Sequence, residues 1–465
     1  MSMVMLSVLV LITLSDCRPP GKKPAEQTKT PVLVITLDTT RADRLGCYGS
    51  DRGLTPFLDE FSKEAFLFEN CETPVPLTLP AHTSIFSGLY PQSSNVKVNV
   101  SSTVPVEVPL ASERFRAAGY VTAAFLSSSV LLRRYGLDRG FDNYNQDFYD
   151  PRQGRFQRAS AGKTLSRAGT WLASAGRPFF CWIHLYDPHS PYEPPEEWKT
   201  RHEKIPYEGC VAYMDHSLGD FFGRPEMSGW RDWVVVICAD HGESLGEHGE
   251  SRHGVFLYEP ATRVPLMIHL PGQKTPARIA EWVSLIDIAP TLAELSNTPA
   301  MNGSDGVSLC PLLKGQAIPE RRIYMGSLEG TMTYGWAPLF GVIDDGRKYI
   351  EAPRPELYDL RSDRRESENL VDKDKAAASR MKGFVKDYIL LRPVGEGKAP
   401  EGITDKDLEQ LAGLGYIEAG FSAEGVYRKD PKDYAELTDL FLEVGNAFKA
   451  KDYRTAEAVL EKIEK

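Results

Sequence analysis

Cysteine is sparse and unpatterned: seven residues, at 17, 47, 71, 181, 210, 238 and 310, form no CxxC pair in a chain of 465. A zinc knuckle and a disulfide framework both need closer spacing, so neither is indicated. Cys181 and Cys238 lie within apolar runs and read as small buried hydrophobes. Basic charge is also short, with 54 Lys and Arg against 64 Asp and Glu for a net charge of -10. A broad nucleic-acid surface needs concentrated positive charge and is not expected, while a small cationic pocket for an anionic ester remains allowed. The N-terminal apolar run MSMVMLSVLVLITL has 14 residues, too few to cross a bilayer as a helix, and no Lys or Arg precedes it. What remains is the make-up of an ordinary globular protein, 42% hydrophobic and 25% charged, enough for one large domain and something smaller.

The apolar run has the length and place of an export signal. Cys17, in LSDC, sits where a lipid-attachment site of the bacterial lipoprotein type would be, with Asp16 where a small uncharged residue is usual. Residues 1–30 are therefore expected to be a leader and tether. The protein is expected to be exported or held in the cell envelope, with a lipid anchor at Cys17 as its one link to a membrane. A cytosolic enzyme with a mis-assigned start is the alternative.

From Pro31 the chain alternates. Continuous apolar runs (PVLVITLD, VTAAFLS, FFCWIHLYD, WVVVICAD, VPLMIHL) suit strands covered on both faces. Helical patterns lie between them, at Pro56–Phe66, Pro109–Ala118, Lys163–Ala175, Glu208–Phe222 and Leu285–Leu295. This predicts an α/β fold with a large, mostly parallel sheet between helical layers. From about Arg321 the segments RRIYMGSL, PLFGVIDDGRKYIEA and ELYDL alternate around turn signals such as DDG, predicting a small antiparallel sheet. The predicted organisation is a main domain over 31–370, a helical and loop linker over 371–425, and a helical hairpin over 426–465. In the last segment Gly445, Phe448, Tyr453 and Ala456 stand at the spacing of a tetratricopeptide unit, a surface for a protein partner.

Three of the strand-like runs end in carboxylates, Asp38, Asp187 and Asp240, and ligands in open α/β sheets collect beyond the carboxyl ends of strands. ADHGESLGEHGESRHG places His241, His248 and His253 among four glycines, holding three of the chain's nine histidines. Hard carboxylate oxygen beside imidazole nitrogen suits a divalent cation such as Zn or Mn; a polar surface loop is the bland alternative. In WIHLYDPHSPYEPP the prolines would stiffen a loop carrying Asp187 and His189, while His184, inside the apolar run, is as readily a core histidine as a ligand. Tyr186, Tyr192 and Trp198 either line a specificity pocket or cover a loop.

LDTTRADRLGCYG, PLTLPAHTSIFSGLYP, WIHLYDPHSPYEPP, ADHGESLGEHG with HGVFLYEPATRVPLMIHLPG, and VSLIDIAPTLAEL resemble, in order, the signature segments of the sulfatase branch of the alkaline phosphatase superfamily. The resemblance runs from about Pro31 to Leu370 and implies an alkaline-phosphatase-like three-layer α/β/α domain. It implies Asp38, Asp240 and His241 as metal ligands, with Asp43 in the same signature as a further candidate. His189 would face the substrate anion, and His248 or His253, the latter the stronger, would stabilise charge or protonate the leaving group. Sulfatases of this branch carry Cys or Ser in C/S-x-P-x-R, which becomes formylglycine. Here the segment is Thr78-Leu79-Pro80-Ala81-His82, so no formylglycine is expected, Thr78 becomes nucleophile and metal ligand, and His82 takes the place of the anion-binding arginine. One divalent ion (Zn, Mn or Ca) is the simpler reading, with His184, Asp187 and Asp43 as candidates around a second.

Threonine at this position resembles phosphodiesterases and phosphoethanolamine or phosphoglycerol transferases. The leading expectation is therefore a hydrolase of phosphate esters or diesters, or a transferase, acting on a small anionic ester through a covalent Thr78 intermediate. The alternative is a sulfuric ester hydrolase without formylglycine. A catalytically silent binding protein whose tail carries the function is the reading from another class.

Overall fold

The computed structural model describes residues 29–150, 155–156, 158–273, 276–391, 429–449 and 451–463. Residues 1–28 of the leader and tether, Cys17 among them, RPVGEGKAPEGI and DLEQLAGLGYIE lie outside these residues. Among the described residues no helix is long and apolar enough to cross a membrane.

The large sheet consists of β1 (Val32–Leu37), β2 (Phe66–Glu72), β3 (Val121–Phe125), β4 (Asn143–Asn145), β5 (Phe179–Leu185), β6 (Val234–Ala239), β7 (Arg263–His269) and β8 (Arg278–Ser284), in the order β8-β2-β7-β6-β1-β5-β3-β4. Only β7, antiparallel to β6 and β2, runs against the rest. Every residue of β1, β5 and β6 is buried whichever way it points, so both faces of the sheet centre are covered. This is the expected mostly parallel sheet. Three strands have no counterpart among the predicted runs, β2, the three-residue edge strand β4 and β8. β2 carries Glu69, Asn70 and Glu72 and begins where the first helix had been extended to Phe66, whereas edge strand β8 exposes Arg278, Ala280 and Glu281.

The interposed helices are α1 (Pro56–Phe61), α2 (Thr78–Ser87), α3 (Ala111–Ala117), α4 (Ala161–Leu172), α5 (Pro206–Phe222) and α6 (Ile288–Leu295). All ten residues of α2 are buried. Pro80 is tolerated because it falls in the first turn, where backbone N–H groups have no intrahelical partner. α2 ends at Gly88, whose φ of 73° is the left-handed conformation of a glycine cap.

The second sheet joins β9 (Ile323–Ser327), β10 (Leu339–Asp344), β11 (Arg347–Glu351) and β12 (Glu356–Asp359), antiparallel and in chain order. The β10–β11 turn uses Asp345 (φ 49°) and Gly346 (φ 75°), the two positive values that a primed hairpin turn requires and DDG announces. Helix α7 (Lys375–Leu391) packs Met381 and Val385 among Val342, Tyr349 and Leu357 of this sheet, so it shares the sheet's core. Helices α8 (Leu437–Lys449) and α9 (Tyr453–Ile463) form a hairpin. Its approach is held by Tyr434 stacked on Trp336 (5.8 Å), Phe441 on Tyr334 (5.4 Å) and Asp439 bonded to Ser251.

Candidate active site

Parallel register makes the site. Leu37 lies opposite both Leu185 of β5 and Ala239 of β6, so the next residues of β1 and β6, Asp38 and Asp240, emerge side by side. Asp38, Asp240 and His241 are buried, and each offers a donor atom within 4.8 Å of the others. His241 Nδ1 lies 2.9 Å from the Gly242 carbonyl oxygen, which accepts its proton and leaves the Nε2 lone pair inward. Nε2 then stands 3.5 Å from Asp240 Oδ2, 3.8 Å from Asp38 Oδ1 and 3.3 Å from the hydroxyl of Thr78, the first residue of α2.

Both carboxylate oxygens of Asp38, Oδ2 of Asp240 and Oγ1 of Thr39 are buried without a hydrogen-bond partner. Such groups are costly unless a cation or proton compensates them. Burial, then the charge of Glu243, pushes the Asp38 carboxyl well above the ordinary range; burial, then Asp38 itself, does the same to Asp240. Burial holds His241 well below the ordinary imidazole range, in the neutral form that ligates metals. Oxygen donors converging with one neutral nitrogen fit a divalent cation.

His184 is buried beneath Asp38. Its Nε2 is 3.2 Å from Asp38 Oδ2 but off the hydrogen-bonding direction, and its Nδ1 is 3.1 Å from the Thr36 hydroxyl. His82 also lies under the site rather than at the mouth expected of an arginine replacement. Its Nδ1 donates to the Thr78 carbonyl (2.7 Å), its Nε2 meets Thr36 Oγ1 (2.9 Å), and its ring packs on Trp182. His82 therefore braces the backbone of Thr78.

A second layer faces the cluster. His253 Nδ1 is 2.7 Å from Glu243 Oε1, and Glu243 Oε2 accepts the Tyr192 hydroxyl at 2.9 Å. The His253 ring lies 4.4 Å from that of His241 and 5.1 Å from that of His189. His189 donates from Nδ1 to the Ser190 carbonyl (2.6 Å) and stacks on Tyr186 (4.4 Å). Burial, then Arg252, takes His253 down to about 3. Arg158 donates to the carbonyls of Asp187 and His189, both at 2.7 Å, and fixes this loop.

Three expected residues stand elsewhere. His248, five positions before His253, has φ 54°, stacks on Tyr258 at 3.7 Å and donates to the Arg365 carbonyl at 3.2 Å; the left-handed backbone turns it away. Asp43 is held by Arg41 at 2.8 Å and Arg44 at 3.0 Å. Burial works against its charge, but the Arg41 hydrogen bond and charge keep its carboxyl below the ordinary range. Asp187 accepts the Ala161 N–H at 2.8 Å at the start of α4, an end cap, with burial raising its carboxyl to about 6. Thr36, Thr39, Glu243 and Arg158 were missed. Glu243, two residues beyond His241, had a signal in its motif; Arg158 comes from a distant segment and had none.

Two consequences are measurable. Glu243→Gln keeps the shape but replaces the carboxyl that partners His253, and kcat is expected to fall by about 10–100-fold as for lost outer-layer partners, checked by steady-state kinetics with metal content unchanged. At Gly242 an added Cβ would run into the Pro260 carbonyl oxygen. Gly242→Ala is expected to cost about 1–3 kcal/mol, the usual range for overpacking, read from urea unfolding.

Residues 30–298 match the family described as "Sulfatase", and residues 246–386 match "N-sulphoglucosamine sulphohydrolase, C-terminal". The Delta 4,5-hexuronate-2-O-sulfatase of Bacteroides thetaiotaomicron is 24% identical over 441 residues, covering 79% of this chain and 90% of its own. The choline-sulfatase of Rhizobium meliloti is 32% identical over 184 residues, 38% of this chain and 34% of its own. Among solved structures, the phosphonate monoester hydrolase of Agrobacterium radiobacter superposes with a TM-score of 0.65 at 20% identity, over 78% of this chain and 95% of that one. A 2-O GAG sulfatase gives 0.61 at 22%, over 78% and 92%.

Proposed function

The chain belongs to the sulfatase family and has the alkaline-phosphatase-like fold, and from that premise we propose that it hydrolyses sulfuric esters of small alcohols or sugars with the unconverted hydroxyl of Thr78 as nucleophile. The observation that carries this reading is the 3.3 Å approach of Thr78 Oγ1 to His241 Nε2 beside the buried, unpartnered oxygens of Asp38 and Asp240. The expectation that put phosphate esters first is reversed in order, because the named relatives are predominantly sulfatases. Asp38, Asp240, His241 and Thr78 would hold one divalent ion, which when bound supplies Lewis acidity to the ester and makes a hydroxyl reactive at neutral pH.

The remaining work falls to the chain. Thr78 sits at the N-terminus of α2, where the helix dipole favours the anion under attack. Its oxygen bonds to sulfur as the bond from sulfur to the leaving alcohol oxygen breaks, giving a sulfo-threonine and the alcohol. His253, with Nδ1 committed to Glu243, presents Nε2 to carry the threonine proton to the departing oxygen. The same atom then takes a proton from the water that attacks sulfur and passes it to the Thr78 oxygen as the bond from sulfur to that oxygen breaks, which releases sulfate and restores the hydroxyl. His189 adds a hydrogen-bonding ring beside it. With its leader-like N-terminus, the protein would do this outside the cytosol.

A phosphoester reading stays in second place on one specific observation, the hydroxyl at the nucleophile position. Purified protein with a metal panel, assayed on aryl sulfate, aryl phosphonate monoester and aryl phosphodiester, separates the two. Dominant sulfate turnover supports the first reading; dominant phosphodiester or phosphonate turnover overturns it.

A further inference from the structure

Outside the catalytic cluster, a cavity of about 570 Å³ opens where the 41–52 segment of the large domain meets the 364–365 segment that follows the small sheet. Six arginines line it, Arg41, Arg44, Arg52, Arg263, Arg364 and Arg365, and no lysine does. Four carboxylates answer them: Asp43 and Glu247 hold Arg41, both at 2.8 Å, Glu259 holds Arg364 at 2.8 Å, and Glu208, just beyond the lining, holds Arg52. That leaves an excess of two positive charges in a protein whose net charge is -10.

The excess has an address. Arg263 donates to the main-chain carbonyl of Glu69, at 3.2 and 3.0 Å, and to no carboxylate. Arg365 is exposed, and its guanidinium has no hydrogen-bond or ion-pair partner among the described residues. Arg44 is already answered, by Asp43 at 3.0 Å and Glu208 at 3.9 Å. The walls are fixed: His248, stacked on Tyr258, donates to the Arg365 carbonyl, and Arg364 packs over Trp282 at 5.0 Å.

We propose that this cavity binds a tetrahedral dianion, sulfate or phosphate, either free or carried on a sugar. Guanidinium forks match the paired oxygens of such groups, and a lining whose cations are all arginines is the arrangement that planar, two-point recognition selects. Two surplus charges balance one dianion. The volume is that of a site for a small molecule, large enough for a sugar ring carrying the anion. None of Asp38, Thr78, Asp240 or His241 lines the cavity, so this anion is not the reacting ester. The site meets the catalytic layer through Arg41, which also donates to the Glu243 carbonyl at 3.1 Å.

The proposal stands apart from the assignment of Thr78, and its test disables the catalytic site. Sodium sulfate, glucose 6-sulfate and glucose are titrated calorimetrically, at constant ionic strength, into Asp240→Ala protein and into metal-stripped wild type. Saturable one-to-one binding of sulfate or of the sugar sulfate, but not of glucose, is expected in both backgrounds. It should weaken by at least about tenfold when Arg263→Ala and Arg365→Ala are added, as two charge-assisted contacts are lost. Tighter binding of sulfate than of glucose 6-sulfate identifies a free anion; the reverse order identifies an anionic sugar. Arg365→Glu alone, an exposed change whose melting curve reports folding, should also weaken binding. Unchanged affinity in the arginine variants, or no saturable binding of either anion, overturns the proposal.

Discussion

Thr78→Ala is expected to lower kcat by at least about 10³-fold, the scale on which loss of a covalent nucleophile is felt, while bound metal is retained. Thr78 contributes one neutral hydroxyl to a site whose two carboxylates and imidazole already lie within 4.8 Å of one another. Removing the hydroxyl therefore spares the charged ligands and removes only the attacking atom. The change is made in the first turn of α2, where alanine is a good helix former. His82 still finds its acceptor, because it bonds to the main-chain carbonyl of residue 78. Thr78→Ser, which keeps the hydroxyl, should recover a measurable fraction of the rate. Metal content from elemental analysis together with kcat separates loss of nucleophile from loss of metal.

Asp240→Asn is expected to act in the opposite pattern, with metal and activity lost together and the metal-free protein made more stable. In the absence of a cation, Asp38 and Asp240 are two buried carboxyls with raised pKa values, so the folded state holds protons that the unfolded chain gives up. The sign follows from linkage. A raised folded pKa means stability is greatest below the unfolded value of about 4 and falls as pH rises towards the folded value. Metal-stripped wild type should therefore lose stability, relative to Asp240→Asn, as pH is raised from about 4 through neutrality. A difference of about 1–3 kcal/mol, the usual cost of an uncompensated buried polar group, is expected at pH 7 by urea unfolding. Added metal should remove the deficit in the wild type alone.

The cluster of Asp38, Asp240 and His241 could be read from the sequence because its residues directly follow strands that are apolar throughout, with every residue of β1 and β6 buried. Such runs mark their own carboxyl ends, and Asp38 and Asp240 stand there. What distinguishes His253 from His248 was not legible. Both lie in one glycine-rich loop, and it is the φ of 54° at His248 that turns it onto Tyr258. Asp187 ends a strand as Asp38 does, yet it meets the start of α4, a partner some 26 positions earlier in the chain. Strands β2, β4 and β8 were hidden because a strand near or at a sheet edge tolerates Glu69, Asn70, Asn143, Asn145 and Glu281, so its pattern is not apolar. The bracing of Asp38 and Thr78 by His184, Thr36 and His82 depends on pairing between β1, β5 and α2, contacts that span up to 148 positions.

The most direct test of the account is to trap the covalent state. Enzyme loaded with metal is mixed with an aryl sulfate, quenched in acid during turnover, digested and analysed by mass spectrometry. One sulfuryl group is expected on the peptide containing Thr78, at the threonine oxygen, and none in Thr78→Ala. An unmodified Thr78 in enzyme that is turning over sulfate, or full activity in Thr78→Ala, would contradict it.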